Sequence, residues 1–199
     1  MKNLGRFREF LERFSALVDA HGADERRIFA DGAPLLAELV SHDDWLPDEF
    51  ARSSTDSYRQ YLLYCDPRER FSVVSFVWGP GQQTPIHDHT VWGMVGMMRG
   101  EERCEEYTPP VAGRAMKPTA AHPLRPGEID KVSPRIGDIH VVANGLRDAP
   151  SVSIHVYGGN IGTISRHVFD PATGAARPFV SGYHNTVLPN VWGPAPDAH

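Results

Sequence analysis

Two hydrophobic periods divide this chain. Over its first part, Leu4, Phe7, Phe10, Leu11, Phe14, Leu17 and Val18 recur at three- and four-residue steps, the signature of one apolar helix face. His21-Gly22 makes a natural stop. A second helix is predicted over about 24–31, interrupted by Asp31-Gly32-Ala33-Pro34, and a third from Ala33 to about Val40. Pro47-Asp48-Glu49 opens a short fourth. This helical region, 1–55, carries no evident chemistry and is expected to cover one end or edge of a sheet.

From about Tyr58 the pattern changes to short β-branched and aromatic runs such as RFSVVSFVWG, DIHVVAN and PSVSIHVYG, separated by turn residues at Asp66-Pro67, Gly79-Pro80-Gly81, Pro109-Pro110 and Gly158-Gly159. Many short strands at this spacing predict a mostly β sandwich or barrel over 56–184. The remainder, 185–199, holds Pro189, Pro194 and Pro196 and is expected to wrap the surface.

A length of 199 residues suits one domain, and a 41% hydrophobic content suffices for a core. The net charge of −5 comes with no long basic or acidic run, so nothing recommends nucleic acid or an anionic membrane as partner. The start, MKNLGRFREFLERF, has no apolar run of signal-peptide length, no stretch approaches a membrane span, and two cysteines make no disulfide framework. A cytoplasmic protein is the simplest expectation. Oligomeric state is left open.

The candidate chemistry centres on Gly81–Gly100, GQQTPIHDHTVWGMVGMMRG. In an extended strand His87 and His89 point the same way, and two imidazoles on one face can grip one metal ion. His140, in the segment from Pro134 to Asn144, is the obvious third nitrogen. The spacing of Gly81, His87, His89, Gly93 and Gly100 resembles the first signature of the cupin family. Pro134, Gly137, His140 and Asn144 resemble the second, with one residue extra between proline and glycine. The resemblance implies a jelly-roll β-barrel with the helices packed on it and a metal in its lumen. Most cupins of this pattern carry a glutamate where this chain has Gly93, so the expected ligands are three neutral imidazoles, His87, His89 and His140. Imidazoles suit zinc, copper, nickel and iron, and the ligands alone do not choose among them.

The segment Ser151–Tyr157 alternates Val152, Ile154 and Val156 with Ser153, His155 and Tyr157. The polar set can form a hydroxyl–imidazole–phenol chain of hydrogen bonds. Together with the three histidines, Trp78-Gly79 and the IHDHT run, it resembles the thiol dioxygenases of the cysteine dioxygenase family. The resemblance implies Fe(2+), a small thiol acid and O2 as the reactants, a sulfinate as product, no organic cofactor, and catalytic roles for Tyr157, His155 and Ser153. Animal members cross-link a cysteine to the active-site tyrosine; Gly93 stands at that position, so no thioether is expected. Gln60 with Arg166 is similar to the bacterial 3-mercaptopropionate dioxygenases, which implies that Arg166 holds the substrate carboxylate and that the substrate is 3-mercaptopropionate, yielding 3-sulfinopropionate. Ile164, Arg166 and Val168 are expected to share an inward face. The rivals are cysteine as substrate, a non-catalytic metal-binding cupin, and a zinc lyase or isomerase. Trp78, Trp92, Met94, Met97 and Met98 read as core. His21, His42, His122, His167, His184 and His199 read as ordinary polar residues.

Overall fold

The computed structural model describes residues 4–192; Pro194, Pro196 and His199 lie outside that range. Helix α1 (Gly5–His21) buries Phe7, Phe10, Leu11, Phe14, Leu17 and Val18, the face its period predicts, and the Gly22 N–H closes it on the Val18 carbonyl at 2.9 Å. Next comes α2 (Glu25–Val40), begun by the Asp24 side chain, which accepts from the Arg27 N–H. The break expected at 31–34 does not occur: α2 runs continuously through Pro34. Packing explains both breaker residues. A Cβ on Gly32 would sit 2.9 Å from the Phe14 ring and 3.0 Å from the Met94 methyl, so only glycine lets α2 approach α1 and the sheet this closely. Pro34 forfeits one helical hydrogen bond. Burial of Ile28, Phe29, Leu36, Leu39 and Val40 offsets that loss. The fourth helix is one 3-10 turn, Asp48–Ala51.

Eleven strands follow among the described residues: β1 (Arg59–Cys65), β2 (Ser72–Trp78), β3 (Ile86–His87), β4 (Gly93–Arg99), β5 (Glu102–Tyr107), β6 (Pro118–Leu124), β7 (Ile129–Val132), β8 (Ile139–Asn144), β9 (Ser151–Tyr157), β10 (Arg166–Phe169) and β11 (Ala176–Phe179). Two of them, β6 and β11, carry too little β-branched character to stand out in the sequence and form by pairing with β5 and β10.

The sheets have the orders β1-β2-β9-β4-β7 and β11-β10-β3-β8-β5-β6. Strands β2 to β9 therefore take the 2-9-4-7 and 3-8-5-6 arrangement of an eight-stranded jelly roll, changing sheet at every step except from β5 to β6. Strand β1 extends one sheet, and β10 and β11 extend the other. The fold is mostly β and cupin-like. It is two antiparallel sheets with a space between them rather than one closed barrel.

Every residue of β9 is buried, because both of its faces are covered. Val152, Ile154 and Val156 join the helices' cluster with Phe14, Leu36 and Met94. So α1 and α2 cover the outer face of the five-stranded sheet, not the end or edge of one. The opposite face of β9 carries Ser153, His155 and Tyr157 inward. Past β11, the Asn185 side chain bonds both the N–H and the C=O of Leu62, and the His184 N–H donates to the Gln60 carbonyl. Residues 184–185 thereby cap the open edge of β1. No helix among the described residues is long and apolar enough to cross a membrane.

Candidate active site

Contacts between distant parts of the chain bring the metal-type ligands together. His87 ends β3 and pairs across it with His140 of β8. His89 follows just past the end of the strand rather than within it. Its position depends on Asp138, whose Oδ2 accepts from the N–H groups of His89 and Thr90 at 3.1 and 3.0 Å while Thr90 takes a φ of 59°. The three imidazole centroids are 4.8 Å apart in every pair, and one ligand atom from each lies within 4.8 Å of the others.

The donor set fits a divalent cation. All three rings are buried. Burial first, and neighbouring imidazoles second, hold His87 and His140 well below the usual histidine range, so their rings are neutral. The Nδ1 atoms are already engaged: His87 with the Pro85 carbonyl at 3.2 Å, His89 with Asp138 Oδ1 at 3.0 Å, His140 with Cys104 Sγ at 3.4 Å. An N–H on each Nδ1 leaves each Nε2 lone pair as the available donor.

Between the sheets lies a cavity of about 230 Å³. His87, His89 and His140 line one side of it, with His155, Tyr157 and Arg166 alongside. Ser153 Oγ lies 2.8 Å from His155 Nε2, and His155 Nδ1 lies 2.8 Å from the Tyr157 hydroxyl, so the predicted chain forms. Ser153 itself does not reach the cavity and acts only through His155. The Tyr157 ring stacks on His89 at 5.5 Å. Burial pushes its phenol further up, against the lowering pull of Arg166, so the proton stays on oxygen.

Arg166 and Gln60 meet at one hydroxyl. Arg166 Nη2 donates to Ser181 Oγ at 2.6 Å, and Gln60 Nε2 donates to the same oxygen at 3.0 Å. The guanidinium lies over Phe179, and its buried Nε has no hydrogen-bond partner. A buried donor without an acceptor is costly unless a ligand supplies one. Arg59, facing the other way, is tied to Ser54 and Asp56. Ile164 sits in a bend before β10 and does not share the strand face of Arg166 and Val168.

Residues 37–170 match the family model described as cysteine dioxygenase type I. The chain belongs to the cysteine dioxygenase type I family. It is 26% identical over 152 residues to a Danio rerio protein named cysteine dioxygenase type 1, covering 75% of this chain and 69% of that one. To the Homo sapiens protein of the same name it is 27% identical over 143 residues, 70% of each chain. Among solved structures, a double-stranded β-helix protein from Klebsiella pneumoniae aligns with TM-score 0.47 and 20% identity over 61% of this chain and 94% of its own. A cupin superfamily protein from Desulfitobacterium hafniense aligns with TM-score 0.44 and 12% identity over 60% and 94%.

As a member of this family the chain is a thiol dioxygenase, an oxidoreductase. That assignment removes the non-catalytic module and the lyase from the readings above. Several residues of the site carried no signal of their own in the sequence. Asp138, Ser181, Tyr58 and Arg177 belong to loops or weak strands, and only contact with His89, Arg166 or the cavity marks them. Trp78 is buried as expected but also lines the cavity. His167, read as ordinary, pairs with Asp88 at 2.9 Å and so ties β10 to the HDH segment. His184 lies beside Gln60, its Nδ1 accepting the Gln60 N–H at 3.0 Å.

Proposed function

We propose that this thiol dioxygenase converts 3-mercaptopropionate to 3-sulfinopropionate, using Fe(2+) held by His87, His89 and His140. The observation that carries the choice of substrate is the polar content of the cavity. It offers the Arg166 guanidinium, with an unpartnered Nε, and among the described residues no carboxylate lines it. A thiol acid needs a cation for its carboxylate, and the planar guanidinium can take both oxygens. An amino group would need an anion or a ready acceptor as well, and the cavity supplies no anion.

Iron bound there would lower the pKa of the substrate thiol and activate O2. The chain's own groups then do the positioning. Arg166 fixes the carboxylate end and so the direction of the thiol arm. Tyr157, held by His155, presents a neutral hydroxyl to the reacting end. Phe76, Phe179 and Val168 keep the cavity wall apolar. The reaction balances without a reductant: O2 accepts the electrons that sulfur loses, and both oxygen atoms end on sulfur.

Oxygen uptake measured with 3-mercaptopropionate and with cysteine side by side tests this reading. A higher kcat/KM for 3-mercaptopropionate is expected; a higher value for cysteine overturns it. Cysteine is the second reading, favoured by the names of the relatives. Its amino group would need either the Gln60 carbonyl oxygen, since the Gln60 nitrogen is committed to Ser181 and the Gly182 carbonyl, or, as the neutral amine, a place on the metal that three imidazoles leave open.

A further inference from the structure

Glu102 opens β5 just past the glycine that ends the first histidine segment, and it points inward at 1% exposure. Neither of its carboxyl oxygens has a hydrogen bond of normal geometry. The polar groups acting on it are, in order, Ser153, Ser151 and the Trp78 indole. Ser151 Oγ and Trp78 Nε1 are themselves buried and unpartnered. Asn144, the ladder neighbour of Glu102, donates to the Trp78 carbonyl, and Trp78 pairs with Ser151, so three orphaned polar side chains gather two residues along β9 from Ser153, the inner end of the chain that leads to Tyr157. No arginine or lysine is among the groups acting on the carboxyl. Its ladder neighbours Asn144 and Leu124 are uncharged. The titratable groups that feel its charge are Cys104 and Tyr157. Burial without a cation pushes the carboxyl up to about 8, which leaves it protonated at neutral pH.

We propose that Glu102 is a positioning residue: its buried, otherwise unpartnered carboxyl sets the direction of the Ser153–His155–Tyr157 hydrogen bonds so that the phenol proton faces the cavity. A carboxylic acid that donates to Ser153 makes Ser153 donate to His155 Nε2. His155 Nδ1 then carries the ring proton and donates to the Tyr157 oxygen, and the Tyr157 hydroxyl is free to donate toward the substrate. A carboxylate would reverse every link. It would accept from Ser153, His155 Nε2–H would donate to Ser153, and Tyr157 would turn its proton inward onto Nδ1. Because β9 is wholly buried and paired on both edges, the groups stay in place while only their protons rearrange.

The inference rests on the part given above to Tyr157, and Tyr157→Phe tests that part by itself. If Tyr157→Phe leaves kcat unchanged, the role of the phenol fails. If it lowers kcat and the Glu102 variants do not, only the present inference fails. Glu102→Leu should lower kcat roughly tenfold or more with KM unchanged, an effect of the size general acid–base groups supply. Glu102→Gln, neutral and still a donor, should recover most of that loss. In a Ser153→Ala background Glu102→Leu should add almost nothing, since the route is already cut. A Gln variant as impaired as Leu, or additive losses, overturns the proposal. Should Glu102→Leu fail to fold, infrared difference spectra of the wild-type protein and Glu102→Gln decide: the carbonyl stretch of a neutral carboxylic acid must be present in the first and missing in the second, and its absence from both overturns the proposal.

Discussion

Gln60 and Arg166, on strands of opposite sheets, donate to the same oxygen, Ser181 Oγ, at 3.0 and 2.6 Å. One serine on the segment after β11 thus sets the distance between the amide and the guanidinium in the cavity wall. The same segment caps β1, so the edge of one sheet and the Arg166 guanidinium share a support.

Arg166→Lys should therefore raise KM for 3-mercaptopropionate roughly ten- to hundredfold, the worth of a charge-assisted pair. A lysine has the charge but not the fork, and it leaves Ser181 to Gln60 alone. Turnover of 2-mercaptoethanol, which has no carboxylate, should change little. Equal losses with both thiols would mean that Arg166 acts on the fold and not on the carboxylate. Ser181→Ala should produce a smaller rise in KM of the same selectivity.

Asp138 holds His89 in two ways, by its Nδ1 and by its backbone N–H. Asp138→Asn keeps the shape and removes the negative charge that makes the imidazole a better donor. Affinity for divalent metal should fall about ten- to hundredfold. Titration of metal-stripped protein measures this directly, and an unchanged affinity would remove Asp138 from the site.

Gly93 packs against the Tyr157 ring. A Cβ there would lie 2.8 and 2.9 Å from two carbons of the Tyr157 ring and 3.0 Å from Val132. Gly93→Ala must displace the ring, at about 1–3 kcal/mol, and should lower both the melting temperature and kcat. Gly96→Ala is the control. Its Cβ would meet Leu36, Val40 and Ile129 on the helix side, so it should lower the melting temperature and spare kcat.

Away from the site, Asp66 accepts from Arg70 Nε and Nη2 and from the N–H groups of Arg68 and Arg70. The Arg70 hydrogen bonds lower its carboxyl from an ordinary 3.8 to about 2. The folded value is depressed, so the stabilisation is complete above the unfolded value and is lost as pH falls from about 5 toward 2. Asp66→Asn should cost up to about 2 kcal/mol at pH 7 and make the stability less steep with pH in that window. Denaturant unfolding at several pH values checks both. A parallel shift at every pH would argue against linkage through Asp66.

The sequence by itself determined the metal-type triad and its relatives' chemistry, because a jelly roll forces metal ligands onto short segments whose spacing survives in the chain: His87 with His89, then His140. It also determined the inward set of β9, since alternation along a strand needs no partner to be read. Local pattern failed where contacts decide. Gly32 and Pro34 looked like a break, yet close approach to Phe14 and Met94 keeps α2 whole. The helices cover a sheet face because β9 has an apolar side to bury, which no single segment reveals. Ser181, Asp138 and Glu102 were silent for the same reason. Each takes its meaning from a residue far along the chain, and only folding places a hydroxyl against two donors, a carboxylate against His89, or a buried acid near Ser151 and the Trp78 indole.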